Sequence, residues 1–543
     1  MNNNKQKSLE LFNDSLEQNR PNRLCVTLSD IHLTDGTVGF QNLEDTVWDE
    51  FYDCLAGHCR RNDIEEVTLI LDGDVVDMIR SGRWAEAGIY PWERDKKEIF
   101  SAIVNEIIEE IIKHHHVFFT WLQNLKSRLP EDTEVKSDDI NIFVILGNHD
   151  KEILCDNKAL TYFYEKGLGK KLDDFKPDER AWLGRMYGDE TMFSDVNTAP
   201  YFPFYYGDRG FRFFTTHGQW RDKSNSRKIK SKQGLPGWSE ADGWQNETWQ
   251  QLKFSPFTEP CFGDTIAAGL LSTFICDAKT KLNKYKGDMK QKGDYDKDKK
   301  LRNDISRLEN ILDELDLYRP TYKAVVRILD EAKVMHNEAL VAIIEETLFS
   351  EIINWLECDF VYESSSALFG VFLKLVKYLL KFLKLLNLHK FIALTLVKFS
   401  LKIYTRFSLL KLYFINTFRL LSDKDALTSD LLLKDLKGFP AFMPEYEDYG
   451  FQIHGEGHTH IPLEEEPKIR NGRPSTYVNF GTWRDQIIGR KNKGYRRRGI
   501  LRLFYILDLK GEKGEYKNKE QRQFNYFTED IIRWSDKKDD LLK

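Results

Sequence analysis

The chain has 543 residues, is 41% hydrophobic and 31% charged, and carries a net charge of -6 at neutral pH. That length accommodates more than one domain, and the charge excludes a molecule that grips nucleic acid over its whole surface. Seven cysteines, at positions 25, 54, 59, 155, 261, 276 and 358, are odd in number and form no Cys-x-x-Cys pair. This argues against a disulfide framework or a structural zinc site and fits a reducing cytosol. The polar N-terminal stretch lacks an apolar run of signal-peptide type, so a cytoplasmic address is expected.

In chain order, the apolar run 24–29 ends at Asp30, 67–72 leads into Gly73-Asp74, and 141–146 leads into Gly147-Asn148. Later, 211–216 leads into His217 and 451–454 into Gly455. Short apolar runs bounded by glycine and polar residues predict buried β-strands. The stretch 97–126 reads as helix, and the alternation predicts an α/β domain with functional groups at the carboxyl ends of strands. From about 262 to 440 the character changes. Residues 279–304, rich in Lys and Asp, read as a solvated, mobile segment. Residues 305–357 carry helical spacing in Ile305, Leu308, Ile311, Leu312 and Leu315. Strands resume at 476–480 and 499–508. The expected layout is a core in two parts, 1–261 and 441–543, around a helical insertion at 262–440.

Five blocks stand at these strand ends: Ser29-Asp30-Ile31-His32, Gly73-Asp74-Val75-Val76-Asp77, Gly147-Asn148-His149-Asp150, His217-Gly218 and Gly457-His458-Thr459-His460. If the backbone is extended, Asp30 and His32 project the same way and reach one ion, and His458 with His460 repeats that geometry. Asp74 offers a carboxylate able to bridge two ions. Asn148 adds a neutral amide oxygen and His217 an imidazole. A mixed nitrogen and oxygen set without thiolate suits manganese, iron or zinc and suits calcium poorly.

In this order the blocks resemble the calcineurin-like metallophosphoesterase superfamily, over roughly 24–222 and 450–485. The resemblance implies an α/β/β/α sandwich and two divalent cations, manganese first, with iron, zinc or magnesium as the other candidates. It assigns Asp30, His32, Asp74 and His460 to one metal. The other takes Asp74, Asn148, His217 and His458. His149 becomes the proton donor or phosphate contact, and Asp77 orients it. Such a pair, about 3.5–4 Å apart, clamps phosphate oxygens and lowers the pKa of water between them.

Three further features leave alternatives open. His114-His115-His116 cannot converge on one ion from a continuous helix and reads better as a solvated helix face. Arg80, Arg83 and Arg221 could grip a substrate phosphate or sit on the surface. Residues 234–249 could form an active-site rim or pack the insertion onto the core.

Residues 364–422 hold eight Lys, two Arg and no Asp or Glu, so they carry +10 and the remainder -16. Lys374, Lys377, Lys381 and Lys384 recur on one helical stripe among Leu, Val, Phe and Tyr. No charge-free run there is long enough to span a bilayer. The pattern predicts an interfacial helix on an anionic membrane, with a buried hairpin or a dimer contact as the alternative and a nucleic-acid groove third. A helical lid between the fourth and fifth blocks is similar to that of bacterial UDP-2,3-diacylglucosamine pyrophosphatases, although this insertion is longer and carries His149 where that family has Arg. The expected activity is hydrolysis of a phosphate ester or diphosphate on a membrane-associated or amphiphilic substrate, peripheral on the inner face of the membrane. A soluble nucleotide phosphodiesterase or nuclease is the alternative enzyme. A non-catalytic scaffold, assembled through the insertion, is the alternative of another class.

Overall fold

The computed structural model describes residues 9–16, 20–39, 43–188, 192–193, 200–222, 224–227, 255–318, 327–331, 335, 337–365, 367–385, 449–470, 472–490, 494–511 and 522–533. Within these, the chain is mixed α/β, with two six-stranded mixed sheets and many helices.

The first sheet is built on β1 (Arg23–Leu28), β2 (Glu66–Asp72) and β3 (Ile140–Ile145), three adjacent parallel strands. The second sheet holds β4 (Tyr206–Asp208), β5 (Phe213–Thr215), β6 (Ile453–Glu456), β7 (Leu463–Glu464), β8 (Lys468–Arg470) and β9 (Arg473–Asn479). The remaining strands, β10 (Gln486–Arg490), β11 (Gly494–Leu509) and β12 (Gln523–Arg533), extend the first sheet antiparallel beyond β1.

Strand β1 is buried at every position and β2 at all but its first, as a strand must be when both faces of its sheet are covered. On one face the two sheets meet through Phe213 and Phe480 against Phe504, with ring centroids 6.0 and 5.8 Å apart, and through Phe143 against Tyr206 at 5.4 Å. Helix α1 (Thr46–Arg61) packs on β11 through His58 and Tyr505. Helix α2 (Lys97–His114) buries Phe100, Ile103, Val104, Ile107, Ile108 and Ile111 along one face. Helix α3 (His116–Asp132) packs on α1 through Phe118 and Trp121 against Trp48 and Phe51.

A second hydrophobic cluster is built mainly from the insertion, joined by Val38 and by Ile487 of β10. It is carried by α4 (Thr273–Gln291), α5 (Lys299–Glu314), α6 (Glu338–Glu357) and α7 (Ala367–Leu385). Asp298 caps α5 by accepting from the amides of Lys300 and Leu301, and Asn337 caps α6 in the same way, each satisfying amides that a helix start leaves without partners. The expected irregular segment at 279–304 is largely helical. Most of its charges stay exposed while Leu282 and Leu301 are buried, so charge density there marks a solvated helix face. The triple histidine is not one helix either. The chain breaks at His115, whose Nε2 donates to the Thr34 carbonyl at 2.9 Å. Residues 234–249 and 386–448 lie outside the described residues, as does the side chain of Arg221.

Candidate metal centre

The parallel strands β1, β2 and β3 end side by side, so Asp30, Asp74 and Asn148 emerge from three adjacent carboxyl ends. Parallel β5 and β6 deliver His217 and His458 from the second sheet. The connecting loops are tied across. The Asp30 amide donates to the Gly73 carbonyl, His32 N to Asp74 O, and Gly457 N to His217 O, at 3.1, 2.8 and 3.2 Å. Asp150 fastens the second and third loops by accepting from the amides of Asp74, Val76 and Gly147 at 2.7 to 2.9 Å.

Of the nine residues assigned from the resemblance, eight are brought together by their donor atoms, and Asn148 stands beside His149 at the end of β3 with its Oδ1 buried. Asp30, His32, Asp74 and His460 form one group in which donor atoms lie within 4.8 Å of one another, and Asp74, His217 and His458 form another. Asp74 is common to both. Its Oδ1 accepts from the His149 amide at 2.8 Å, while Oδ2 lies 3.6 Å from His32 Nε2 and 3.2 Å from His217 Nε2. Asp30 is divided likewise. Oδ2 accepts from Ser29 Oγ and the His458 amide at 2.6 and 2.9 Å. Oδ1 lies 3.2 Å from His460 Nε2 and 3.7 Å from His32 Nε2.

The convergence does not come from extended backbone. Asp30, His32, Asp74, His458 and His460 all have positive φ, from 51° to 66°. Only Asp63 and Arg212 join them as non-glycine residues of that kind among the described residues. Left-handed backbone costs on the order of 1–3 kcal/mol per residue where a side chain is present. Its concentration here means that the loops are bent to aim ligands inward. His458 and His460 consequently join different groups, where extended geometry would aim both at the same ion. Two glycines permit the close approach. A Cβ at Gly147 would lie 2.2 Å from both Asp74 N and Oδ1, and one at Gly457 would lie 1.9 Å from Ser29 Oγ.

Partners behind the cluster set which ring nitrogen faces it. Asp77 binds His32 Nδ1 at 3.0 Å and His149 Nδ1 at 2.7 Å. His217 Nδ1 donates to the Asp72 carbonyl at 2.7 Å. His458 Nε2 meets Asp222 Oδ2 at 3.0 Å, so Nδ1 is its nitrogen for a ligand. Carboxylate or carbonyl support behind a histidine is the arrangement by which metal sites fix tautomer and orientation. Asp222 and the Asp72 carbonyl were not legible as site groups, because nothing in their local spacing marks them, and Asp150, the last residue of its block, had no role assigned from the sequence.

Electrostatics agree. Burial disfavours the charged forms, but the neighbouring imidazoles hold the Asp30 and Asp74 carboxyls well below the usual range. Burial likewise opposes the His217 imidazolium, and the carboxylates of Asp74 and Asp30 outweigh it, pushing its pKa up to about 10. His149 is pushed down by burial, with Asp77 and Asp74 opposing.

The donor set fits divalent cations. Asp30 Oδ1, Asn148 Oδ1 and His217 Nε2 are buried without a hydrogen-bond partner, a costly state that a bound cation relieves. Of the arginines, Arg80 Nη1 stands 3.4 Å from Asp77 Oδ2 and 3.8 Å from Asp316 of the insertion. Arg484 pairs with the same Asp316. Arg83 faces Asp35 and Glu106. No family model, curated protein or solved structure matches this chain.

Proposed function

We propose that the chain is a dinuclear metal-dependent hydrolase of phosphate esters or diphosphates, with a metallophosphoesterase-type sandwich as its core. The observation that carries this reading is the Asp74 carboxylate, whose Oδ2 faces imidazoles of two different donor groups. A carboxylate so placed is suited to bridging a cation pair. Asp30 Oδ1, His32 Nε2, Asp74 and His460 would hold one cation. Asp74, Asn148 Oδ1, His217 Nε2 and His458 would hold the other. When bound, two cations supply Lewis-acid polarisation of a phosphate and ready deprotonation of water.

The chain's own groups do the rest. Asp77 holds Nδ1 of His149, so that in its protonated form Nε2 can pass a proton to the leaving oxygen; burial disfavours that form, and the carboxylates of Asp77 and Asp74 support it. The same carboxylate locks His32, so one residue aligns a ligand and the acid. Both are buried, which limits competing solvation of the proton in transit. An amphiphilic substrate is the first choice, on the basic and apolar composition of the insertion. Rapid cleavage of single-stranded nucleic acid would favour the nuclease instead.

The test is hydrolysis of an aryl phosphodiester by protein supplied with Mn²⁺, together with metal content per chain. Asp74→Ala and His217→Ala should each lower turnover by roughly a thousandfold or more, in line with loss of metal-assisted catalysis, and reduce bound metal. Unchanged turnover in both variants would overturn the reading.

A further inference from the structure

Helix α7 is buried on one face and bare on the other. Phe369, Leu373 and Leu380 enter the insertion core. Opposite them, Val371, Leu375, Tyr378, Phe382 and Leu385 are 61, 64, 68, 56 and 80% exposed, with Leu379 beside them at 44%. Their spacing of four and three residues in alternation draws one straight stripe along a helix. Nine large hydrophobic side chains stand exposed among the described residues, and six of them are on this helix. Single exposed apolar residues are ordinary, whereas a contiguous row marks an interaction surface.

Charge decides what covers it. Lys374 and Lys381 are exposed along the edge of the stripe, with Lys377 half-buried behind them. Lys374 and Lys377 lie over the Tyr362 ring, and Lys381 pairs with Glu357 across two half-exposed side chains. The surrounding stretch, 364–422, has ten basic residues and no acidic one. A second copy meeting this face, or the chain that continues to residue 422, would set positive charge against positive charge. The other exposed apolar residues, Leu16, Ile99 and Ile469, are isolated in sequence and offer no matching stripe elsewhere on the described surface. An anionic bilayer answers both demands, with an acyl boundary for the stripe and headgroups for the lysines.

We propose that this face of α7 docks on an anionic lipid surface, with Val371, Leu375, Tyr378, Phe382 and Leu385 at the acyl boundary. The remaining -16 of the molecule is repelled by the same surface, which orients the protein with α7 toward the membrane. Docking stands apart from the hydrolase reading, because it is read without turnover.

The experiment is flotation of the full-length protein with vesicles of phosphatidylcholine alone, or containing about one third phosphatidylglycerol, a strongly anionic surface. The intact protein should float with the anionic vesicles and much less with the neutral ones. Leu375→Ser with Phe382→Ser should lower partitioning by roughly tenfold or more, as loss of two buried apolar side chains requires. Both positions are exposed, so the thermal melt should not move. Lys374→Gln with Lys377→Gln should weaken binding by about tenfold and flatten its salt dependence. Absence of flotation overturns the proposal, as does flotation unchanged in the Leu375 and Phe382 variant. A dimer in light scattering that this variant converts to monomer, with no flotation, assigns the face to a second copy instead.

Discussion

Asp77 touches two imidazoles, His32 and His149, to which the proposed mechanism gives different duties. Asp77→Asn keeps the shape but removes the charge that fixes both rings, so turnover should fall by about a hundredfold, the range of general-acid assistance. If the acid is the main loss, turnover should fall with metal content retained, as measured by elemental analysis of the purified variant. Protonation gives a second expectation. In the metal-free site His217 is held up at about 10, so near neutrality it carries a proton that a cation must displace. Metal binding should therefore release protons, and affinity should fall as pH is lowered. Calorimetry of Mn²⁺ binding in buffers of different ionisation enthalpy measures this. A Cβ at Gly147 would collide with backbone and carboxylate of Asp74. Gly147→Ala should thus cost on the order of 2 kcal/mol in a urea melt and weaken the metal-dependent rise in Tm.

At the scale of elements, the strand runs were legible because burial on both faces leaves continuous apolar stretches. The runs at 24–29, 67–72 and 141–146 correspond to β1, β2 and β3 within a residue or so at each end. Strand β12 escaped that pattern, since much of it is only half-buried and its sequence alternates polar with aromatic residues at one edge of the sheet. The junction of α2 and α3 was hidden by helical composition on either side of His115. That residue carries a stability prediction. Burial, with some help from His114, lowers its pKa to about 4, below the value near 6.5 expected when unfolded. Its neutral form is thus favoured by folding, and the contribution is complete above about pH 6.5. It is lost progressively as pH falls toward 4, amounting to about 3 kcal/mol. Denaturant melts across that window should show a smaller acid loss for His115→Gln.

In the whole molecule, the insertion and the sheet core are joined by buried charges. Lys151, one residue beyond Asp150, binds both carboxylate oxygens of Asp264 at 2.7 and 2.8 Å. Asp316 faces Arg80 and Arg484, and Arg80 in turn faces Asp77. This chain of groups connects the insertion to the residue that orients His149. Asp316→Ala leaves two arginines facing each other without that carboxylate. It should destabilise the fold by about 3–5 kcal/mol, as breaking a buried ion pair does. Turnover measured below the melting range should fall as well, and rescue by Asp316→Glu would separate charge from packing. Among the described residues no helix is long and apolar enough to cross a membrane.

The amino-acid sequence by itself marked the candidate ligands. Each candidate ligand sits just past an apolar run, and buried parallel strands bring their carboxyl ends to one edge. It also marked the basic apolar stretch at 364–422. Only the tertiary structure decided how the ligands divide, because their aim depends on left-handed backbone at Asp30, His32, Asp74, His458 and His460, held by hydrogen bonds between distant loops. It alone brought Asp222 behind His458 and Asp316 against Arg80 and Arg484. Those contacts join residues far apart in the chain, where local periodicity carries no information about partners.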